Sequence, residues 1–251
     1  MFSYMPLVSV IIPYFKKKQH IKNAIKSVLR QTFKNTEIII IYDDINLEDY
    51  DYLINEFKNI KNIKIIRNTK NLGAGLSRNI GIKNANGEII AFLDSDDLWL
   101  PNKLEDQLNF MLKNNYKFTF SNYEKKLLSG KIIYVKSSKR EFNYNDLLNS
   151  CDIGLSTVML NKNLIGENFF PNLRTKEDYV AWLKITKNNT KAYNIEKSLV
   201  VWNQVEYSLS SNFLQKIFDG FKVYYVYEKF SLMKSIIFLL RLSLNSLKKK
   251  I

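Results

Sequence analysis

Among 251 residues the sequence has one cysteine, Cys151, and one histidine, His20. A single cysteine excludes an intramolecular disulfide and fits a reducing compartment. A single histidine excludes His-rich zinc sites and any Ser-His or Cys-His nucleophile not built on His20 itself. His20 lies in the polar run KKKQHIK and reads as a solvated side chain. No window offers the ~18–20 consecutive apolar residues of a membrane-spanning helix. The opening MFSYMPLVSVIIPYF lacks the charged start and small-residue cleavage site of a secretory leader, so a cytoplasmic chain is expected. Glycine-rich phosphate motifs are missing too. PYFKKKQ follows the first apolar run, where a dinucleotide site would place G-x-G-x-x-G, and there is no P-loop.

What is present describes a folded protein: 46% hydrophobic and 14% aromatic residues. The length suits one α/β domain or two small ones. Lys and Arg total 38 against 24 Asp and Glu, a formal net charge of +14. The lysines are scattered and no nucleic-acid recognition motif accompanies them, so nucleic acid is not an expected partner.

Strand and helix signals alternate through the first half. Residues 7–12 (LVSVII) read as a buried strand stopping at Pro13, and residues 19–31 as an amphipathic helix. Residues 37–42 (EIIIIY) give a second strand ending at Asp43 and Asp44, then a helix follows over 47–58. Residues 63–66 give a third strand, and the turn NLGAG leads into a helix over 75–85. A fourth strand from 89, helices over 102–114 and 175–187, and mixed character over 117–150 complete the pattern. Such alternation predicts a parallel sheet flanked by helices, with ligands beyond the carboxyl ends of its strands.

The most informative stretch is IIAFLDSDDLWLP, residues 89–101. Asp94, Asp96 and Asp97 directly follow a buried run. Close carboxylates repel and are costly to desolvate, and a hard divalent cation would remove that cost. Taken alone, the pattern more often marks a solvated turn with an Asp helix cap, and its surroundings decide otherwise. An EF-hand is rejected because its sixth position, counted from Asp94, is Trp99. A phosphatase with an Asp nucleophile would carry D-x-D after its first strand, whereas three strands precede it here.

In order, VSVIIPYF, SVLRQTF, EIIIIYDD, NLGAGLSRNIGI, GEIIAFLDSDDLWLP, KEDYVAWLKI and a weaker SLS at 208–210 span about 200 residues. In this the chain resembles family 2 glycosyltransferases of the GT-A fold, with closest similarity to bacterial enzymes that decorate surface polysaccharides. The resemblance implies an α/β architecture: a GT-A, Rossmann-like, mostly parallel central sheet flanked by helices, with a C-terminal helical tail. Residues 1–120 would form the nucleotide-sugar half, 121–212 the acceptor and catalytic-base half, and 213–251 a basic tail.

The activity it implies is inverting transfer from a nucleotide sugar, of UDP type, to a glycan or lipid-linked acceptor. Mg²⁺ or Mn²⁺ would be the cofactor. Pro13, Asp43, Asp44, Asn71, Gly73, Arg78, Asp94, Ser95 and Asp96 are the implied nucleotide-sugar residues. Asp44 would accept from the base and Asp43 orient the loop; capping of the next helix is the alternative account of both, disfavoured by their place at a strand end. Arg78 would meet the diphosphate with its forked donors, or form an ordinary salt bridge. Asp94 and Asp96 match the family's D-x-D element. Asp96 and Asp97 are the metal candidates, the direct ligand among the three being open. Asp178 is the implied general base, with Glu177 its fallback. Without the resemblance both acids read as favouring a helix N-terminus.

Two departures stand out: Asn203 and Val205 occupy places where relatives carry Arg and His, and YFKKK replaces a YNR-like sequence. In the tail, MKSIIFLLRLSLNSL is too short to span a membrane. It reads either as an amphipathic helix on the inner face of the cytoplasmic membrane, with Lys248, Lys249 and Lys250 at anionic head groups, or as a packed helix. The competing functional class is a non-catalytic, membrane-associated nucleotide- or lipid-binding protein that keeps the fold.

Overall fold

The apolar run at the start is buried on both faces because it becomes a central strand. In the computed structural model, which describes residues 7–205 and 212–248, β1 (Val8–Tyr14) lies between two parallel neighbours. These are β2 (Thr36–Tyr42) on one side and β4 (Ile89–Phe92) on the other. β3 (Ile63–Arg67) pairs with the outer edge of β2. Side chains alternate across the sheet with period two. Val8, Val10, Ile12 and Tyr14 enter one core layer, and Ile11 the other.

Helices α1 (Lys18–Leu29), α2 (Glu48–Phe57) and α4 (Lys103–Asn114) cover the first layer with Ile25, Leu53 and Leu108 among their buried residues. On the opposite layer lie α3 (Ala74–Lys83), α5 (Tyr144–Asn149) and α6 (Glu177–Thr186). The sequence-derived boundaries hold to within one or two residues at most helix ends.

Pro13 does not end its strand. The Ile11 carbonyl accepts the Leu93 N–H at 3.1 Å, and the last pair of β1 with β4 is Ile11 with Phe92. Pro13 lies past that point on the side facing β4. The N–H that proline lacks therefore has no strand partner to lose, and β1 continues to Tyr14 opposite Tyr42.

Beyond β4 the sheet becomes mixed. Among the described residues it runs β3-β2-β1-β4-β9-β6-β10-β5. β9 (Met159–Asn161) is antiparallel to both β4 and β6 (Phe118–Lys126). β10 (Ala192–Asn203) runs parallel to β6, and β5 (Leu98–Trp99) pairs antiparallel with β10. Short strands β7 (Ile132–Val135) and β8 (Glu141–Phe142) pair with β6 and β10. The first four strands are thus parallel throughout, whereas the rest of the sheet mixes both orientations. Residues 121–205 extend the same sheet.

After β10 the chain forms α7 (Phe213–Lys222), a wider π-helical turn (Val223–Tyr227) and α8 (Leu232–Lys248). Among the described residues no helix is long and apolar enough to cross a membrane. The SLS element at 208–210 and the lysines at 249 and 250 lie outside the described residues.

Candidate active site

Strand order reverses between β1 and β4, and the crevice beyond their carboxyl ends is where an open α/β sheet binds ligands. Lys17, just past β1, reaches across it to Asp96, just past β4, at 3.1 Å. The stretch from Asp94 to Asp97 is a tight turn, with the Asp97 N–H on the Asp94 carbonyl at 3.0 Å.

Ser156 fastens that turn from a 3₁₀ segment (Leu155–Thr157). Its hydroxyl donates to Asp97 Oδ2 at 2.6 Å and accepts the Asp94 N–H at 3.1 Å. Asn203, at the end of β10, closes the other side. Its N–H reaches Asp97 Oδ1 at 3.2 Å and its side-chain amide donates to the Asp96 carbonyl at 2.6 Å.

Arg78 stands in α3 and is buried. One terminal nitrogen donates to Asp94 Oδ1 and the other to Glu177 Oε1, each at 2.7 Å. It thereby joins the end of β4 to the start of α6. Helix α6 is held by its own hydrophobic residues: Trp182 is wholly buried, with the Phe118 ring 5.2 Å away and Phe92 and Phe170 beyond. The loop before it is pinned by Asp219 of α7, whose Oδ2 accepts from both the N–H and the hydroxyl of Thr175 at 2.9 Å.

The consequence is convergence. Asp94, Asp97 and Asp178 line one cavity of about 200 Å³, together with Tyr123, Ser156 and Trp202. Asp178 is half-buried and accepts the Tyr179 N–H at 2.7 Å. Its neighbour Glu177 is instead turned to Arg78 and does not line the cavity.

The carboxylates are held against their preference for water. Burial pushes Asp97 well above the usual carboxylate range, and the charges of Asp94 and Asp96 push it further. Asp96 is raised by burial and by Asp94, with Lys17 opposing. Burial raises Asp178, against the pull of Lys176 and Arg78. Glu177 rises from 4.5 to about 7, mainly through burial, with Arg78 opposing and Asp178 adding.

The sequence pattern described as glycosyl transferase family 2 matches residues 9–159. The chain belongs to this family.

An Escherichia coli glycosyltransferase, UDP-Glc:alpha-D-GlcNAc-diphosphoundecaprenol beta-1,3-glucosyltransferase WfgD, is 39% identical over 210 residues, covering 82% of this chain and 80% of that protein. The putative teichuronic acid biosynthesis glycosyltransferase TuaG of Bacillus subtilis is 32% identical over 256 residues, covering all of both chains. Among solved structures, S. aureus TarS 1–349 in complex with UDP-GlcNAc superposes with a TM-score of 0.73 at 21% identity. It covers 92% of this chain and 70% of that one. The likeness establishes the GT-A fold.

The remaining residues singled out from the sequence fall as follows. Asp43 holds the 68–73 loop: its carboxylate accepts from Asn68 Nδ2 at 2.7 Å, Leu72 N–H at 2.8 Å and Gly73 N–H at 2.8 Å. Asn71 returns a bond to the Asp43 carbonyl at 2.9 Å. Gly73, at φ +85°, needs the freedom of glycine to turn the chain into α3. Asp44 is buried and accepts the Asn46 N–H at 3.2 Å. Pro13 and Ser95 are buried at the strand ends.

Sequence reasoning missed Lys17, Ser156, Tyr123 and Trp202. Lys17 stood in the altered YFKKK run, which was the one available signal. Among the described residues no three acidic, His or Cys side chains gather into a ready-made metal centre. The donor chemistry nevertheless fits a hard cation. Two acids of the turn are raised by burial and mutual repulsion, and Mg²⁺-type ions use one or two carboxylates plus substrate phosphates.

Proposed function

We propose that this chain is an inverting sugar transferase that uses a UDP-sugar and a glycan acceptor carried on a lipid, in surface polysaccharide synthesis. The observation that carries the reading is the joint lining of one cavity by Asp94, Asp97 and Asp178, which the chain brings from β4 and α6. The name of the E. coli relative supplies the donor and acceptor classes, and the UDP-GlcNAc bound to TarS is again a UDP-sugar.

The crevice between β1 and β4 takes the nucleotide, with Asp44 near the base and the Asp94–Asp97 turn facing the diphosphate. Asp96, with Asp97 beside it, would hold Mg²⁺ or Mn²⁺. That ion, when bound, supplies positive charge against the departing diphosphate.

Asp178 takes the proton of the acceptor hydroxyl as its oxygen forms a bond to the anomeric carbon. The bond from that carbon to the diphosphate oxygen breaks, and the nucleoside diphosphate leaves with the electron pair. One displacement inverts the anomeric centre. A raised Asp178 pKa suits a base working near neutrality. Glu177, engaged by Arg78, positions α6 and is the weaker candidate base.

Calorimetric titration with UDP and with GDP, each with and without Mn²⁺, tests the reading on the native chain and on Asp96→Ala. Metal-dependent UDP binding lost in the variant is expected. Binding of neither nucleotide would favour the non-catalytic class, and preference for GDP would change the donor.

A further inference from the structure

Helix α8 is apolar on two opposite faces. Ser235 and Leu242 point into the protein, with Phe238 and Leu239 packed beside them. The other face carries Leu232, Met233, Ile236, Ile237, Leu240 and Leu244, with Met233 73% and Leu240 58% exposed. Among the described residues nothing explains that second stripe, since one buried face suffices to dock a helix. Helix α7 repeats the arrangement. Asp219 and Gly220 are buried, while Phe213 and Leu214 are 71% and 77% exposed and Ile217 and Phe218 lie with them.

The charges are sorted just as sharply. Between residues 213 and 248 the acids are Asp219 and Glu228. Both point inward, Asp219 to Thr175 and Glu228 to Tyr144 and Lys187. Lys229, Lys234 and Arg241 are outward. Lys234 and Arg241 are seven residues apart on α8, so they fall on one line along the border of the exposed stripe. Their cations lie over aromatic rings, Lys234 over Phe230 at 3.9 Å and Arg241 over Phe238 at 5.4 Å.

We propose that the outer faces of α7 and α8 dock on an anionic lipid surface, with Lys229, Lys234 and Arg241 at the head groups. An apolar stripe bordered by cations is the pattern of a helix lying in the interfacial plane. A second copy is the poorer occupant. A symmetric contact sets the same patch against itself, and this segment turns no acid outward to pair with the facing cations. The inference uses no residue of the cavity, so it stands or falls apart from the sugar-transfer reading. Its link to function is Asp219, which joins the inner side of the docking helix to the loop that precedes Asp178.

The test is flotation of the full chain with vesicles of phosphatidylcholine alone and of phosphatidylcholine with phosphatidylglycerol. Binding to the anionic vesicles is expected, weakened by salt and far weaker on the neutral ones. Lys234→Gln with Arg241→Gln lowers the anionic affinity about thirtyfold, at ~1 kcal/mol for each charge near the surface. Ile236→Ser with Leu240→Ser abolishes binding to both, while thermal melting and circular dichroism verify that each variant is folded. Equal binding to both vesicle types, or none, overturns the proposal. So does a solution dimer that the Ile236→Ser, Leu240→Ser variant dissolves.

Discussion

Arg78 and Glu177 form a buried ion pair at 2.7 Å, and the same guanidinium holds Asp94 at 2.7 Å on its other nitrogen. One cation therefore compensates acids from two elements, and removing it strands Glu177 in a desolvated place and leaves Asp94, at the cavity, without its partner. Arg78→Met is expected to lower the unfolding free energy by ~3–5 kcal/mol. The loss should be smaller at acid pH, where the stranded carboxyls can take protons. Urea denaturation of the variant at two pH values checks both points.

Asp178 lines the cavity and Glu177 does not, although they are adjacent in sequence. Asp178→Asn is expected to cut kcat by ~10²–10⁴-fold, the usual contribution of a positioned base, with little change in UDP affinity. Glu177→Gln should cost much less in kcat. A transfer assay with the two variants side by side distinguishes base from positioning residue, and equal losses would remove Asp178 from its role.

Glu177 also sets a pH dependence. Its folded value is raised from 4.5 to about 7 by burial, so between those values the folded chain holds the proton and the unfolded chain releases it. Its contribution to stability is then present below about 4.5 and declines as pH rises toward about 7. Melting temperatures across that window should fall for the native chain more steeply than for Glu177→Gln, in which the group cannot titrate.

How much of this was written in the sequence depends on whether a feature is local. The β1 and β2 runs announce buried strands through apolar continuity, and Asp43, Asp44 and Asp94 announce a site by standing where strands end. The D-S-D-D turn needed only its own residues to be noticed. Ser156 carries no such mark: it sits in an unpatterned segment and matters because the sheet places β9 and its preceding turn beside β4. Pro13 misled because its effect depends on where the neighbouring strand stops. Arg78 was evenly balanced between substrate and salt bridge, since only packing reveals that both its arms are occupied. The tail read as apolar and basic, but which acids turn inward was a matter of tertiary contacts to Thr175 and Tyr144.

Gly81 gives a clean test of helix-to-sheet packing. A Cβ added there would lie 2.5 Å from Cγ2 of Ile11, in the middle of β1. Neither partner has room to withdraw, because Ile11 is buried between α3 and the sheet core. Gly81→Ala is expected to cost ~1–3 kcal/mol through overpacking, despite alanine being the better helix former. Chemical denaturation reads the loss directly, and a neutral or stabilising result would show that α3 can slide on β1.

Asn203 stands at a departure from the pattern that the sequence resemblance leads us to expect, and its contacts show what it does. The side-chain amide donates to the Asp96 carbonyl at 2.6 Å while its N–H meets Asp97. Asn203→Ala deletes the first bond and keeps the second, so the turn loses one of its two fastenings to β10. A stability loss of ~1 kcal/mol is expected, the ordinary worth of one such hydrogen bond. If the turn faces a nucleotide diphosphate, UDP binding in Mn²⁺ should weaken more than stability does, because Asp96 is then less well placed. Asn203→Arg would separate the two effects: it also loses the short amide contact but brings a cation toward the phosphates. Calorimetry in which both variants bind UDP as the native chain does would remove Asn203 from the nucleotide site and leave it a purely structural clasp.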